Sequence, residues 1–114
     1  MTAALSCPRC LDERLNAQEG PRGIPTWVCP RCSGVWLDKS EIYYYAHDAQ
    51  KLFAIIAEAY KTPTTSRFLC RRCDKQMCEV TFPKPGPVID ACRKCGGTWF
   101  DKGEIAELLF LEGA

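Results

Sequence analysis

The sequence predicts a small, metal-dominated α+β fold of two tandem units. Each unit is a set of short antiparallel strands followed by a helix, and the first helix is long and joins the two. Three observations carry this expectation. The chain has 114 residues, room for one ordinary domain or two very small ones. It has nine cysteines, a usage that belongs to disulfide scaffolds or metal sites. Finally, Cys7, Cys10, Cys29 and Cys32 recur 63 positions later as Cys70, Cys73, Cys92 and Cys95. The repeat extends past the cysteines, since Gly34, Trp36, Asp38, Lys39, Glu41 and Ile42 fall on Gly97, Trp99, Asp101, Lys102, Glu104 and Ile105. Residues 7–42 and 70–105 are therefore two copies of one unit.

The remaining composition narrows the setting. Hydrophobic residues make up 46% of the chain, and 15 basic against 14 acidic side chains leave a formal charge of +1. No stretch approaches the ~18 consecutive apolar residues of a membrane span. The start MTAALSCPRC lacks the basic and apolar regions of a secretory signal. The expected location is the cytoplasm, where disulfides rarely persist and clustered cysteines hold metal.

Units of this size bury too little apolar surface to fold without a staple. Four Cys-x-x-Cys pairs form two sets of four thiolates, which suit tetrahedral zinc with no open coordination position. The expected cofactors are two Zn²⁺, one on Cys7, Cys10, Cys29 and Cys32 and one on Cys70, Cys73, Cys92 and Cys95. Iron accepts the same thiolates, and spacing alone does not separate the two metals. A thiol redox protein is a third reading, but such a pair works from an α/β sheet that no segment here supplies.

Taken in order, each unit runs from a cysteine turn into a strand, a Gly/Pro-rich hairpin, a second strand, another cysteine turn and a third strand, the pattern of a zinc ribbon. Strands are expected at 27–28, 35–37, 77–82, 88–89 and 98–100, with turns at GPRG (20–23) and PKPGP (83–87). Gly34 and Gly97, two residues after the last ligand, are expected to serve a positive φ. Asp38 with Glu41, and Asp101 with Glu104, have the spacing of a capping box, so a helix should start at each. That role accounts for these carboxylates without catalysis.

The first helix is expected over 39–60, before Pro63 and a Thr64-Thr65-Ser66 linker. Ile42, Tyr45, Ala46, Ala49, Leu52, Phe53, Ile56 and Tyr60 form its apolar stripe. Tyr44 and Ile55, eleven residues apart, share the opposite face and make a candidate partner surface, with a homodimer as one possibility. Cys78, the ninth cysteine, aligns with Leu15 and reads as a small buried hydrophobe. The expected segments are 1–38 (first ribbon), 39–62 (connecting amphipathic helix), 63–101 (second ribbon) and 102–114 (short C-terminal helix).

With its cysteines, Gly, Trp, Asp and Glu, the run from Trp27 to Ile42 resembles the bacterial zinc-finger family named for the ribbon of transcription factor IIB. The run from Cys92 to Ile105 is similar to it more closely still. Ser33 and Ser40 stand where that family usually has Gly, and Arg71 and Arg93 where it often has Pro. The resemblance implies a zinc ribbon whose relatives act mainly as binding modules in transcription and related machinery.

Charge bears on partners. Residues 61–94 carry eight basic and three acidic side chains, whereas 95–114 carry one and four. Eight thiolates with two Zn²⁺ hold a net −4, which takes the formal +1 to −3. Nucleic-acid contact is thus expected to be local, through Arg67, Arg71, Arg72, Lys75, Arg93 and Lys94 of the second ribbon, unless these only offset the thiolates. The expected function is a non-enzymatic zinc-ribbon protein docking on transcription or other nucleic-acid machinery. The alternative is a protein adaptor or dimerising module without nucleic-acid contact.

Overall fold

Alternating residues in the third strand of each repeat decide where the core lies. Val35 and Leu37 turn to one side and Trp36 to the other, and in the second copy Phe100 and Trp99 divide in the same way. The computed structural model describes residues 5–19, 23, 25–38, 41–45, 48–82 and 87–104. Its strands are β1 (Asn16–Glu19), β2 (Pro25–Val28), β3 (Val35–Leu37), β4 (Thr64–Leu69), β5 (Gln76–Thr81), β6 (Val88–Ala91) and β7 (Thr98–Phe100). Its helices are α1 (Ile42–Tyr45) and α2 (Ala49–Lys61). All the strands join one antiparallel sheet in the order β1-β2-β3-β7-β6-β5-β4. The two ribbons therefore meet edge to edge at β3 and β7.

One face of the sheet carries Leu37, Val80, Ile89, Ala91 and Phe100, covered by Ile42, Leu52 and Ile56 from the helices. The other face holds Trp36, Trp99, Met77 and Phe68 among the cysteines. α2 lies on β5, so the helix that follows the first ribbon packs against the second. No helix among the described residues is long and apolar enough to cross a membrane.

Several expectations need correction. The long helix over 39–60 is two helices, with Asp48 non-helical at φ −123° between them. The Asp48 carboxylate accepts the Lys51 backbone N–H at 3.0 Å, and a cap of this kind competes with continuing the helix. The break resets the angular phase of the apolar stripe. Leu52 and Ile56 are buried as expected, but Phe53 is 63% exposed and Ala49 is exposed. Ile55, expected on the opposite face, packs partly buried against the core instead. The side chains of Tyr44 and Tyr45, with Ala46, lie outside the described residues.

The linker expected at 64–66 is the start of β4, an edge strand whose polar Thr and Ser gave no apolar alternation to read. It is anchored by a buried pair, Ser66 Oγ donating to Asp90 Oδ1 at 2.6 Å, and by the Phe68 N–H on Ser66 Oγ. Gln76 Nε2 donates to the carbonyls of Ser66 and Phe68 where the β4–β5 register shifts. Burial pushes Asp90 up to about 6, against the Ser66 hydrogen bond. The short strand β1, exposed and polar but for Ala17, likewise carries no apolar alternation. Of the C-terminal helix expected over 102–114, Lys102 and Gly103 form a turn and Glu104 begins a helical turn, while 105–114 lie outside the described residues.

Candidate metal centres

Each Cys-x-x-Cys pair sits in a tight backbone turn. The amide of the residue after the second cysteine donates to the carbonyl of the first: Leu11 to Cys7, Ser33 to Cys29, Asp74 to Cys70 and Gly96 to Cys92, at 2.8–2.9 Å. All four residues have positive φ, between 54° and 78°. The left-handed position is thus one residue before Gly34 and Gly97, which corrects the role expected for those glycines. Only Gly96 adopts it freely, and Leu11, Ser33 and Asp74 carry a side chain through it.

Gly34 and Gly97 are glycine for a different reason. A Cβ on Gly34 would overlap the ring of Trp99, and one on Gly97 would overlap the ring of Trp36. Each ribbon's tryptophan lies on the other ribbon's glycine.

The turns converge the sulfurs into two groups, Cys7, Cys10, Cys29 and Cys32, and Cys70, Cys73, Cys92 and Cys95, with all four Sγ atoms of each group within 4.8 Å. Cys7 and Cys32 Sγ are 3.7 Å apart, as are Cys70 and Cys95 Sγ. A tetrahedron with Zn–S bonds of ~2.3 Å has edges of ~3.8 Å, which these two distances match. Each four-cysteine group is the donor set for one Zn²⁺, which four thiolates would close with no open coordination position.

Burial raises the thiols of Cys7, Cys70 and Cys95. Burial also opposes ionisation of Cys29 and Cys92, but backbone N–H groups of Cys32 and Arg31, and of Cys95 and Lys94, outweigh it and lower both.

The carboxylates after the third strands combine three tasks. Asp38 N–H donates to Glu41 Oε1 at 2.9 Å and Asp101 N–H to Glu104 Oε1 at 2.8 Å, the reach-back half of a capping box. Their side chains instead accept indole N–H bonds, from Trp36 at 2.7 Å and Trp99 at 3.2 Å. Each also takes an arginine from the opposite ribbon. Arg72 grips Asp38 through two bonds of 2.7 and 2.8 Å, and Arg9 reaches Asp101 at 3.1 Å. Burial works against the Asp38 charge, yet the hydrogen bonds from Arg72 and Trp36 hold its carboxyl below the usual range. None of these cross-ribbon contacts was legible in spacing, although Arg9 and Arg72 occupy equivalent places in the repeat.

The six basic residues do not form one face. Arg72 is committed to Asp38, and Arg67 lies over the Phe68 ring and 3.9 Å from Asp101. Arg71 sits between two ligands with a buried Nε that has no hydrogen-bond partner among the described residues. Lys75, Arg93 and Lys94 do come together, around a depression of about 360 Å³ also lined by exposed Thr65 and Gln76 and buried Met77 and Cys78. The Arg93 guanidinium lies 5.9 Å from the centre of the Tyr60 ring, whose hydroxyl burial pushes up to about 12. Cys78 is buried and free, within the sheet.

Comparison with known families places these features. The family described as transcription factor zinc-finger, the zinc ribbon of transcription factor IIB, matches residues 6–43 and again 69–109, over half of the chain. No curated protein and no solved structure matches it.

Proposed function

The chain belongs to the transcription factor zinc-finger family in two tandem copies, and from that premise we propose a zinc-stabilised, non-enzymatic binding protein that docks on nucleic-acid machinery through its second ribbon. The observation that carries this reading is the depression rimmed by Lys75, Arg93 and Lys94. None of the three makes an ion pair among the described residues, so their charge is available to phosphate. Arg67, Arg71 and Arg72 serve the protein itself by position, steadying the thiolate site and the ribbon junction. Catalysis is disfavoured because closed four-thiolate sites leave no place on the metal for water or substrate. Reduced thiolates suit the cytoplasm.

The test is capture of partners by the zinc-loaded chain with and without nuclease, followed by Lys75→Glu/Lys94→Glu. Binding should be lost with nuclease, fall steeply with salt and weaken across all sequences in the double variant, because phosphate contacts release counterions. The adaptor reading has its own support, a groove of about 710 Å³ between α2 and β5 with Ile55, Ala59 and Phe82 in its wall. Partners retained after nuclease, and indifferent to the two lysines, would replace the first reading with that one.

A further inference from the structure

The seam between the ribbons has the symmetry of a dimer. Val35 pairs with Phe100, Trp36 with Trp99 and Leu37 with Thr98. Trp36 and Trp99 are equivalent positions of the repeat, so β3 and β7 are the same strand met from opposite directions. Two further pairs of seam contacts are reciprocal too. Gly34 lies under Trp99 and Gly97 under Trp36, while Arg72 holds Asp38 and Arg9 holds Asp101. The Arg72 guanidinium also lies 6.0 Å from the centre of the Trp27 ring, where the equivalent residue of the repeat is Asp90. An interface in which i meets j and j meets i is isologous, and at the Trp–Trp, Gly–Trp and Arg–Asp contacts either half owns both sides.

We propose that the face of the second ribbon formed by Arg72, Gly97, Trp99 and Asp101 is a self-complementary recognition surface for zinc ribbons, which pairs with the same face of a second copy of this chain whenever the first ribbon does not cover it. The pairing runs β7 against β7 with Trp99 opposite its counterpart, Gly97 beneath the other copy's indole, and Arg72 on the other copy's Asp101. The second ribbon is the half equipped for this. α2 lies on its sheet, so most of the aliphatic core, with Leu52, Ile56, Val80 and Ile89, stays with it when the first ribbon is lost. In the intact chain the tethered first ribbon acts at a high effective concentration and occupies the surface first. The partner it fits in trans is therefore a ribbon with an arginine in its first knuckle and the Gly-x-Trp-x-Asp run after its last ligand.

The experiment keeps the full chain and removes the first metal site by Cys7→Ser/Cys10→Ser. Expected are one zinc per chain by elemental analysis and a dimer by sedimentation, where the unsubstituted chain holds two zincs and is monomeric. In that background Gly97→Val fills the space of the opposing indole, and Arg72→Asp repels Asp101. Each should weaken the dimer at least about tenfold, the equivalent of 1.4 kcal/mol. A one-zinc chain that stays monomeric, or a dimer indifferent to both substitutions, overturns the proposal. Should the variant precipitate, Gly34→Val/Asp38→Arg keeps both metal sites and pushes the first ribbon off Trp99 and Arg72, and sedimentation should again find a dimer; a monomer with both zincs bound and the seam opened is equally decisive.

Discussion

The two ribbons are alike on the tryptophan face and unlike on the helix face. Facing the helices, β5 and β6 of the second ribbon present Cys78, Val80, Ile89 and Ala91. The corresponding strands of the first ribbon present Asn16, Gln18, Thr26 and Val28. A helix with an aliphatic face finds a place to bury it only on the second ribbon, which is why α2 crosses over. The repeat thus duplicated the metal turns and the seam, while the aliphatic core was built mainly on the second copy, with Leu37 and Val35 the first ribbon's share.

The largest effect expected from this difference lies in the metals, since structural zinc contributes on the order of 10 kcal/mol or more to such units. Cys92→Ser should collapse the second ribbon together with α2, whereas Cys29→Ser should leave that half folded, as circular dichroism and zinc content per chain will report. Full chelation should unfold both. Because burial raises Cys7, Cys70 and Cys95, protons compete with zinc for these sulfurs, and zinc should be released as pH falls and retained as it rises, measured with a chromogenic chelator.

Next come the core positions. Ile89→Ala should cost about 2–5 kcal/mol in denaturant unfolding. Thr26→Ala at the equivalent place should cost about 1 kcal/mol, the value of one hydrogen bond, here from Thr26 Oγ1 to the Gln18 carbonyl at 3.3 Å. Equal costs would break the comparison. The arginine clamps sharpen it further. Arg72→Ala gives up two charge-assisted bonds at a half-buried site and should cost about 2 kcal/mol, against less than about 1 for Arg9→Ala, whose single bond is more exposed. Effects of similarly small size are expected at the turns. Ser33→Gly should stabilise by about 1 kcal/mol and Gly96→Ser should destabilise by a similar amount, read as paired shifts in midpoint, because both positions need a positive φ.

The repeat in the sequence groups the eight paired cysteines as the structure does, but it gives the wrong partner for one strand. An offset of 63 aligns Cys78 with Leu15. In the structure Cys78 pairs with Ala91 as Asn16 pairs with Val28, and Leu15 shares the tryptophan-face core with Met77. The slip begins in the first cysteine turn, which closes from the Cys7 amide to the Glu13 carbonyl, one residue longer than the closure from Cys70 to Lys75. It is taken back in the hairpin, where Glu19 pairs with Pro25 while Thr81 pairs with Val88. A one-residue slip turns every side chain of a strand to the other face, so no column alignment of the repeat could assign the core of β1. The break at Asp48 was legible in principle, because an aspartate inside an apolar period is a capping signal, yet the stripe of Ile42, Leu52 and Ile56 concealed it.

By itself the sequence determined the metal chemistry, the duplication and the reach-back of Glu41 and Glu104 to the Asp38 and Asp101 amides, because ligand spacing and the Asp-x-x-Glu run act within a few residues of chain. Only the tertiary structure decided that Trp36 rests on Gly97 and Trp99 on Gly34, that Arg72 spends its charge on Asp38, and that Lys75, Arg93 and Lys94 share one rim. Those contacts join residues dozens of positions apart, and local pattern holds no record of which strand edges meet. The meeting of β3 with β7 is fixed by the burial of both indoles, a gain that exists only once both ribbons have folded around their metals.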